Sequence, residues 1–180
     1  MGKRIVVVGA GAVGGYAGGH MARNGADVTF VDPWPEHVNY IREKGIQLSG
    51  VTEQERFSVP VKAIHLTEVQ QISKERPIDI AFICMKSYDT EWAATLIRPY
   101  LAEDGYVVSL QNCINEERIA RVVGWGKTMG CIASMISVEL TEPGHIVRNV
   151  ELGGEKHTVF RAGEMHGRIT ARATEVAELM

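Results

Sequence analysis

Six residues near the amino terminus, Gly9-Ala10-Gly11-Ala12-Val13-Gly14, follow the spacing G-x-G-x-x-G. That spacing suits close approach of a backbone to a pyrophosphate. Gly9 allows a tight turn, Gly11 brings bare backbone up to the phosphates, and Gly14 lets a helix pack closely on the preceding strand. The ligand's charge then meets free N–H groups and the positive end of a helix dipole, worth about half an elementary charge. Asp32 stands 18 residues beyond Gly14, at the end of the next apolar run, where a carboxylate accepts hydrogen bonds from ribose hydroxyls. The plainer readings are a glycine-rich turn without a ligand and an Asp-Pro turn that only ends a strand. Pro33, Trp34 and Pro35 place no cation after Asp32 to receive a 2′-phosphate. A carboxylate and a phosphate charge about 4 Å apart repel by roughly 4 kcal/mol at an effective dielectric of about 20, so this pattern favours NAD(H) over NADP(H).

Two further polar residues stand at strand ends: Lys86 after Ile83-Cys84-Met85, and Asn112 after Ser109-Leu110-Gln111. In a doubly wound sheet that edge faces the ligand. Lys86 would hold a substrate carboxylate or polarise a carbonyl, and Asn112 would bond the nicotinamide ribose or the substrate. Position alone equally allows a solvated lysine and a turn-forming asparagine. His20, His37, His65, His145, His157 and His166 have no metal-ligand spacing and read as surface or turn residues, so no metal is expected. Cys84, Cys113 and Cys131 form no Cys-x-x-Cys pair and read as small buried hydrophobes in a reducing compartment.

The elements that must position these residues alternate between strand and helix. Strands are expected at Arg4–Val8 and Val28–Val31, with a helix over Ala12–Ala22 between them, ended by Asn24-Gly25. A helix over Glu36–Lys44 follows, closed by Gly45, then short strands at Ile46–Leu48 and Phe57–Ile64 forming an edge hairpin or meander. Ile78–Met85 and Tyr106–Leu110 read as buried strands, and Thr90–Leu101 and Asn115–Val123 as helices. After Lys127 the alternation stops. Met129–Leu140, His145–Val150 and Thr158–Arg161 read as an antiparallel extension of the sheet, with turns at Glu142-Pro143-Gly144 and Gly153-Gly154. A last helix is expected over Ile169–Met180. The fold class is thus α/β, a Rossmann-type doubly wound, mostly parallel sheet with an antiparallel extension after residue 127.

A length of 180 residues fits one dinucleotide-binding domain, since single domains run to about 100–200 residues. Apolar residues at 45% and charged residues at 23% match globular averages and disfavour disordered, collagen-like and coiled-coil classes. A net charge of -3 supplies no basic surface for nucleic acid or an acidic membrane. Met1-Gly-Lys-Arg ahead of Ile5-Val-Val-Val has the flavour of a signal peptide, but glycines from Gly9 to Gly19 interrupt it. No apolar run approaches the roughly 18 residues of a span. The expectation is a cytoplasmic protein acting on small molecules.

The glycine fingerprint, the strand Val28-Thr-Phe-Val-Asp32, Ile83-Cys-Met-Lys86-Ser-Tyr-Asp, Leu110-Gln-Asn112, Pro143-Gly-His-Ile-Val and Gly163-Glu164 together resemble the ketopantoate reductase (2-dehydropantoate 2-reductase) family over nearly the whole chain. The resemblance implies reduction of a 2-keto acid, most directly 2-dehydropantoate to pantoate in pantothenate biosynthesis. NADP(H) is the family's usual cofactor, and the matching Lys86 and Asn112 would lie by nicotinamide and substrate. It also implies a second, helical domain carrying the lysine that protonates the nascent alkoxide. That domain does not lie within these 180 residues, so the chain alone would be inactive; a homodimer is compatible with the family. Three positions depart from the family pattern. Asp32-Pro33 lacks the basic residue of NADPH users, Cys113 replaces the glycine that usually follows Gln-Asn, and the chain stops short of the second domain. The alternatives are a non-catalytic NAD(H)-binding regulatory module and a dehydrogenase for another 2-keto or 2-hydroxy acid.

Overall fold

Strand β1 (Arg4–Val8) is buried along its whole length, as its unbroken β-branched run requires of a central parallel strand. The computed structural model describes residues 2–151 and 158–180. After β1 come α1 (Ala12–Arg23), β2 (Asp27–Asp32), α2 (Pro35–Lys44), β3 (Ile46–Ser49), β4 (Phe57–Val59), β5 (Lys62–His65) and β6 (Ile78–Ile83). The chain continues through α3 (Thr90–Ile97), β7 (Leu101–Ser109), α4 (Glu116–Val123), β8 (Thr128–Ala133), β9 (Val138–Glu142), β10 (His145–Arg148), β11 (Phe160–Glu164) and α5 (Ala171–Leu179).

Seven strands form the main sheet in the order β11-β8-β7-β6-β1-β2-β5. From β5 to β8 all neighbours are parallel, and β11 runs antiparallel to β8. The order of the six parallel strands is that of a doubly wound nucleotide-binding sheet, which reverses direction at β1. One apolar layer, including Ile5, Val7, Phe30 and Phe82, covers one face, while Val6, Val8, Val31 and Ile83 cover the other. Helix α1 lies between the main sheet and a smaller sheet, β4-β3-β10-β9. A methyl group on Gly18 would lie 2.5 Å from Phe30, and one on Gly15 would lie 2.2 Å from Ile146, so glycines on two sides of α1 let both layers close on it.

The structure corrects the expected elements in three places. Phe57–Ile64 is two strands: β4 pairs with β3 in the expected hairpin, whereas β5 joins β2 in the main sheet. Pro60, which has no N–H to give to a ladder, stands between them. Met129–Leu140 also divides, at Met135, whose φ of 53° breaks the extended run. Of the expected antiparallel extension only β8 and β11 join the main sheet, and β8 does so parallel to β7, leaving β11 as its one antiparallel strand; β9 and β10 form a hairpin that belongs to the smaller sheet. The helix expected to reach Leu101 ends at Ile97, and β7 already begins at Leu101; Pro99 falls in the intervening 3-10 turn. Helical turns over Leu66–Lys74 were not expected. His65 and Glu68 form their capping box, with histidine in place of the usual serine or threonine. The Gly153-Gly154 turn lies outside the described residues.

Candidate functional site

The glycine loop leaves β1 and enters α1, and its three glycines do different work. Gly9 has a φ of +98°, a turn that side chains oppose. A methyl group on Gly14 would lie 2.1 Å from the Gly9 carbonyl oxygen and 2.7 Å from Cys84 Cβ, so only glycine lets α1 sit this close to the strand ends. Gly11 is different. Its φ of -65° and ψ of -166° suit any residue, and a methyl group there would meet nothing within 4 Å. The chain's own packing does not ask for glycine at this position; a ligand approaching the backbone would. Helix α1 has no side-chain cap and no acid in its first turn, and the N–H groups of that turn have no intrahelical carbonyl to reach. These features fit a pyrophosphate.

Asp32 ends β2 and is only 8% exposed. Its Oδ2 accepts the Ala10 N–H at 2.8 Å and its Oδ1 accepts the Trp34 N–H at 2.9 Å. The carboxylate therefore ties the glycine loop to the turn after β2. A carboxylate offers about four lone-pair sites, which leaves capacity for ribose hydroxyls. The other end of the Ala10 residue is also held: its carbonyl lies 2.9 Å from His37 Nε2, and His37 Nδ1 accepts the Gly144 N–H at 2.8 Å. His37 is fully buried, contrary to the expectation of a surface or turn residue. The readable signal was its place on the buried stripe His37, Val38 and Ile41 of α2, where Ile41 lies one turn on.

Across the crevice, Lys86 follows β6 and Asn112 follows β7, both exposed. Their loops are tied together by neighbouring polar residues. Gln111 Nε2 donates to the Met85 carbonyl at 2.7 Å and to Thr90 Oγ1 at 2.9 Å. Ser87 Oγ and Asn115 Nδ2 both donate to the Asn112 carbonyl, at 3.0 and 2.8 Å, and Arg118 Nη1 donates to the Ser87 carbonyl at 2.8 Å. The available signal was adjacency: Ser87 and Gln111 flank the two residues already singled out. Cys113 is exposed with a φ of 71°, which corrects its reading as a buried hydrophobe and puts it in a backbone conformation that glycine adopts more readily. Cys131 is buried, and burial pushes its thiol up to about 12. Cys84, packed against Gly14, is likewise pushed far up by burial, so neither is a ready thiolate.

A cavity of about 500 Å³ joins the two sides, with Gly9, Gly11, Ala12, Val13, Asp32, Lys86 and Asn112 in its lining. Ala10 and Gly14 lie buried behind it. Among its lining residues Lys86 is the only cation, set against Asp32 and Asp89. The cavity opens at the carboxyl ends of β1 and β6, where the strand order reverses and ligands of such sheets bind. A larger depression of about 970 Å³ borders Arg4 and Lys62, at the starts of β1 and β5. There the Arg4 guanidinium is committed to the Ile72 and Arg76 carbonyls and to Glu75, a structural arrangement. Among the described residues no three His, Cys, Asp or Glu side chains gather as metal ligands, and no helix is long and apolar enough to cross a membrane.

Residues 5–162 match the family model "Ketopantoate reductase PanE/ApbA". The chain is 31% identical to the 2-dehydropantoate 2-reductase of Archaeoglobus fulgidus, over 99% of this chain and 53% of that protein. It is 33% identical to the enzyme of the same name from Pyrococcus abyssi, over 73% of this chain and 40% of the relative. The crystal structure of 2-dehydropantoate 2-reductase from Geobacter metallireducens GS-15 superposes with a TM-score of 0.79 at 28% identity, over 98% of this chain and 54% of that one. The chain thus spans about half the length of the curated relatives it matches. With its fold, fingerprint and nearly full-length match in agreement, the chain belongs to the ketopantoate reductase family.

Proposed function

We propose that this chain is the dinucleotide-binding part of an NAD(P)H-dependent reductase of 2-keto acids, with 2-dehydropantoate as the substrate. The observation that carries the reading is the open backbone at Gly11, beside Asp32 and in one crevice with Lys86 and Asn112. A bound reduced nicotinamide would supply hydride to the substrate's carbonyl carbon. The residues of this chain bind and orient: the first turn of α1 receives the pyrophosphate, and Asp32 takes the adenosine ribose hydroxyls. The Lys86 ammonium meets the substrate carboxylate or carbonyl oxygen, and Asn112 bonds the nicotinamide ribose or the substrate. The proton for the product alkoxide comes from the part of a longer reductase that these residues do not span.

Asp32 and the absence of a neighbouring cation support NADH as the preferred cofactor. Calorimetry on the purified chain should give micromolar binding of NADH and weaker binding of NADPH; tighter NADPH binding would sink that preference. The chain alone should turn over 2-dehydropantoate negligibly. Measurable NADH-dependent reduction by the pure 180-residue protein, lost in Lys86→Ala, would overturn the assignment of the proton donor to another segment.

A further inference from the structure

We infer that His37 is a positioning residue for the dinucleotide: through the Ala10 carbonyl it aims the Gly11 N–H at the ligand. The inference rests on the dinucleotide reading above. Gly144 donates its N–H to Nδ1, so the ring proton sits on Nε2, and Nε2–H donates to the Ala10 carbonyl 2.9 Å away. The peptide between Ala10 and Gly11 is planar and trans. Holding its oxygen toward α2 therefore turns its N–H the opposite way, away from His37. The preceding peptide is fixed by Asp32, which accepts the Ala10 N–H. Ala10 is thus gripped at both its N–H and its C=O, and the rim of the anion cradle is set before any ligand arrives.

The second partner of His37 comes from far along the chain. Gly144 lies 107 residues away, in the turn between β9 and β10, with a φ of +75°. The Trp34 indole stacks on the His37 ring, with centroids 5.6 Å apart and planes 12° from parallel, and the Trp34 N–H is held by Asp32. The hairpin, α2 and the glycine loop therefore meet on one buried imidazole. Neither His37 nor Gly144 lines the crevice.

Two substitutions separate the two bonds. In His37→Asn, Oδ1 takes the place of Nδ1 and can still accept from Gly144, but nothing reaches Ala10. In His37→Gln, Nε2 is as many bonds from Cβ as the imidazole Nε2 and can still donate to the Ala10 carbonyl. Each variant loses one bond, so their stabilities to denaturant should be similar. Calorimetry with NADH should nonetheless show His37→Asn about tenfold weaker than wild type and His37→Gln within about threefold, since a Gly11 N–H no longer aimed at the ligand forfeits about one net hydrogen bond, roughly that factor. A merely structural His37 would give two folded variants with equal affinity, which overturns the inference. If neither variant folds, long-range proton–nitrogen NMR on the wild-type protein decides: a proton on Nε2 is required, and a proton on Nδ1 refutes the geometry. Failure of the wild-type protein to bind either dinucleotide refutes the functional reading, and with it the role given to His37.

Discussion

Asp32→Asn tests the structural and the recognition roles of one carboxylate together. The wild-type side chain accepts two backbone N–H groups, from buried Ala10 and from Trp34, through two separate oxygens. Asparagine has one oxygen, so one of the two N–H groups must face an NH₂ group. Hydrogen bonds to charged groups contribute about 1.5–3 kcal/mol, and an orphaned buried donor costs about 1–3 kcal/mol, so the variant should lose about 2 kcal/mol in urea denaturation. The same substitution removes the negative charge beside the proposed ribose site. If even a third of the roughly 4 kcal/mol unscreened repulsion survives salt, the NADPH to NADH affinity ratio rises about tenfold. Calorimetric titration with both dinucleotides at fixed salt reads that ratio. Unchanged stability would refute the clamp on the glycine loop, and an unchanged ratio would refute the electrostatic argument for NADH.

Gly14→Ala should cost about 1–2 kcal/mol, because its methyl group would press on backbone 2.1 Å away and overpacking in the upper part of the range of about 1–3 kcal/mol outweighs a helix-propensity gain of about 1 kcal/mol. A variant as stable as wild type in denaturant would contradict the close strand–helix packing. Cys113→Gly relieves a φ of 71° at an exposed site and should stabilise by up to about 1 kcal/mol; a measured loss would mean that the thiol packs usefully. Glu164 is held at about 2, below the usual 4.5, mainly by hydrogen bonds from Arg172. A depressed carboxylate stabilises above its unfolded value and loses that contribution as pH falls through the folded one. Stability should therefore decline from about pH 4.5 towards pH 2, and Glu164→Gln should flatten that acid limb in denaturation curves taken across the range. An identical limb in the variant would remove Glu164 as its cause.

Much of this arrangement was legible wherever local pattern and tertiary demand agree. The buried β-branched run of β1, the glycine loop, and the Asn24-Gly25 and Gly45 stops read directly, because each fixes its own backbone. Lys86 and Asn112 stand after buried strands in the sequence, and that place brings both to the crevice. What was missed depends on partners remote in sequence. Phe57–Ile64 reads as one strand until two different sheets claim its halves. His37 reads as an ordinary surface histidine until Gly144, 107 residues on, reaches it. The bonds that Gln111 and Asn115 make depend on the loops after β6 and β7 coming together.

Gly11→Ala tests the central claim most directly. Since a methyl group at Gly11 would meet nothing within 4 Å and the backbone there suits alanine, stability should stay within about 1 kcal/mol of wild type. If that open backbone is the seat of a pyrophosphate, the same methyl group must occupy the ligand's space, and calorimetric binding of NADH and of NADPH should both be abolished. A stable Gly11→Ala protein that binds either dinucleotide as tightly as wild type would contradict the account.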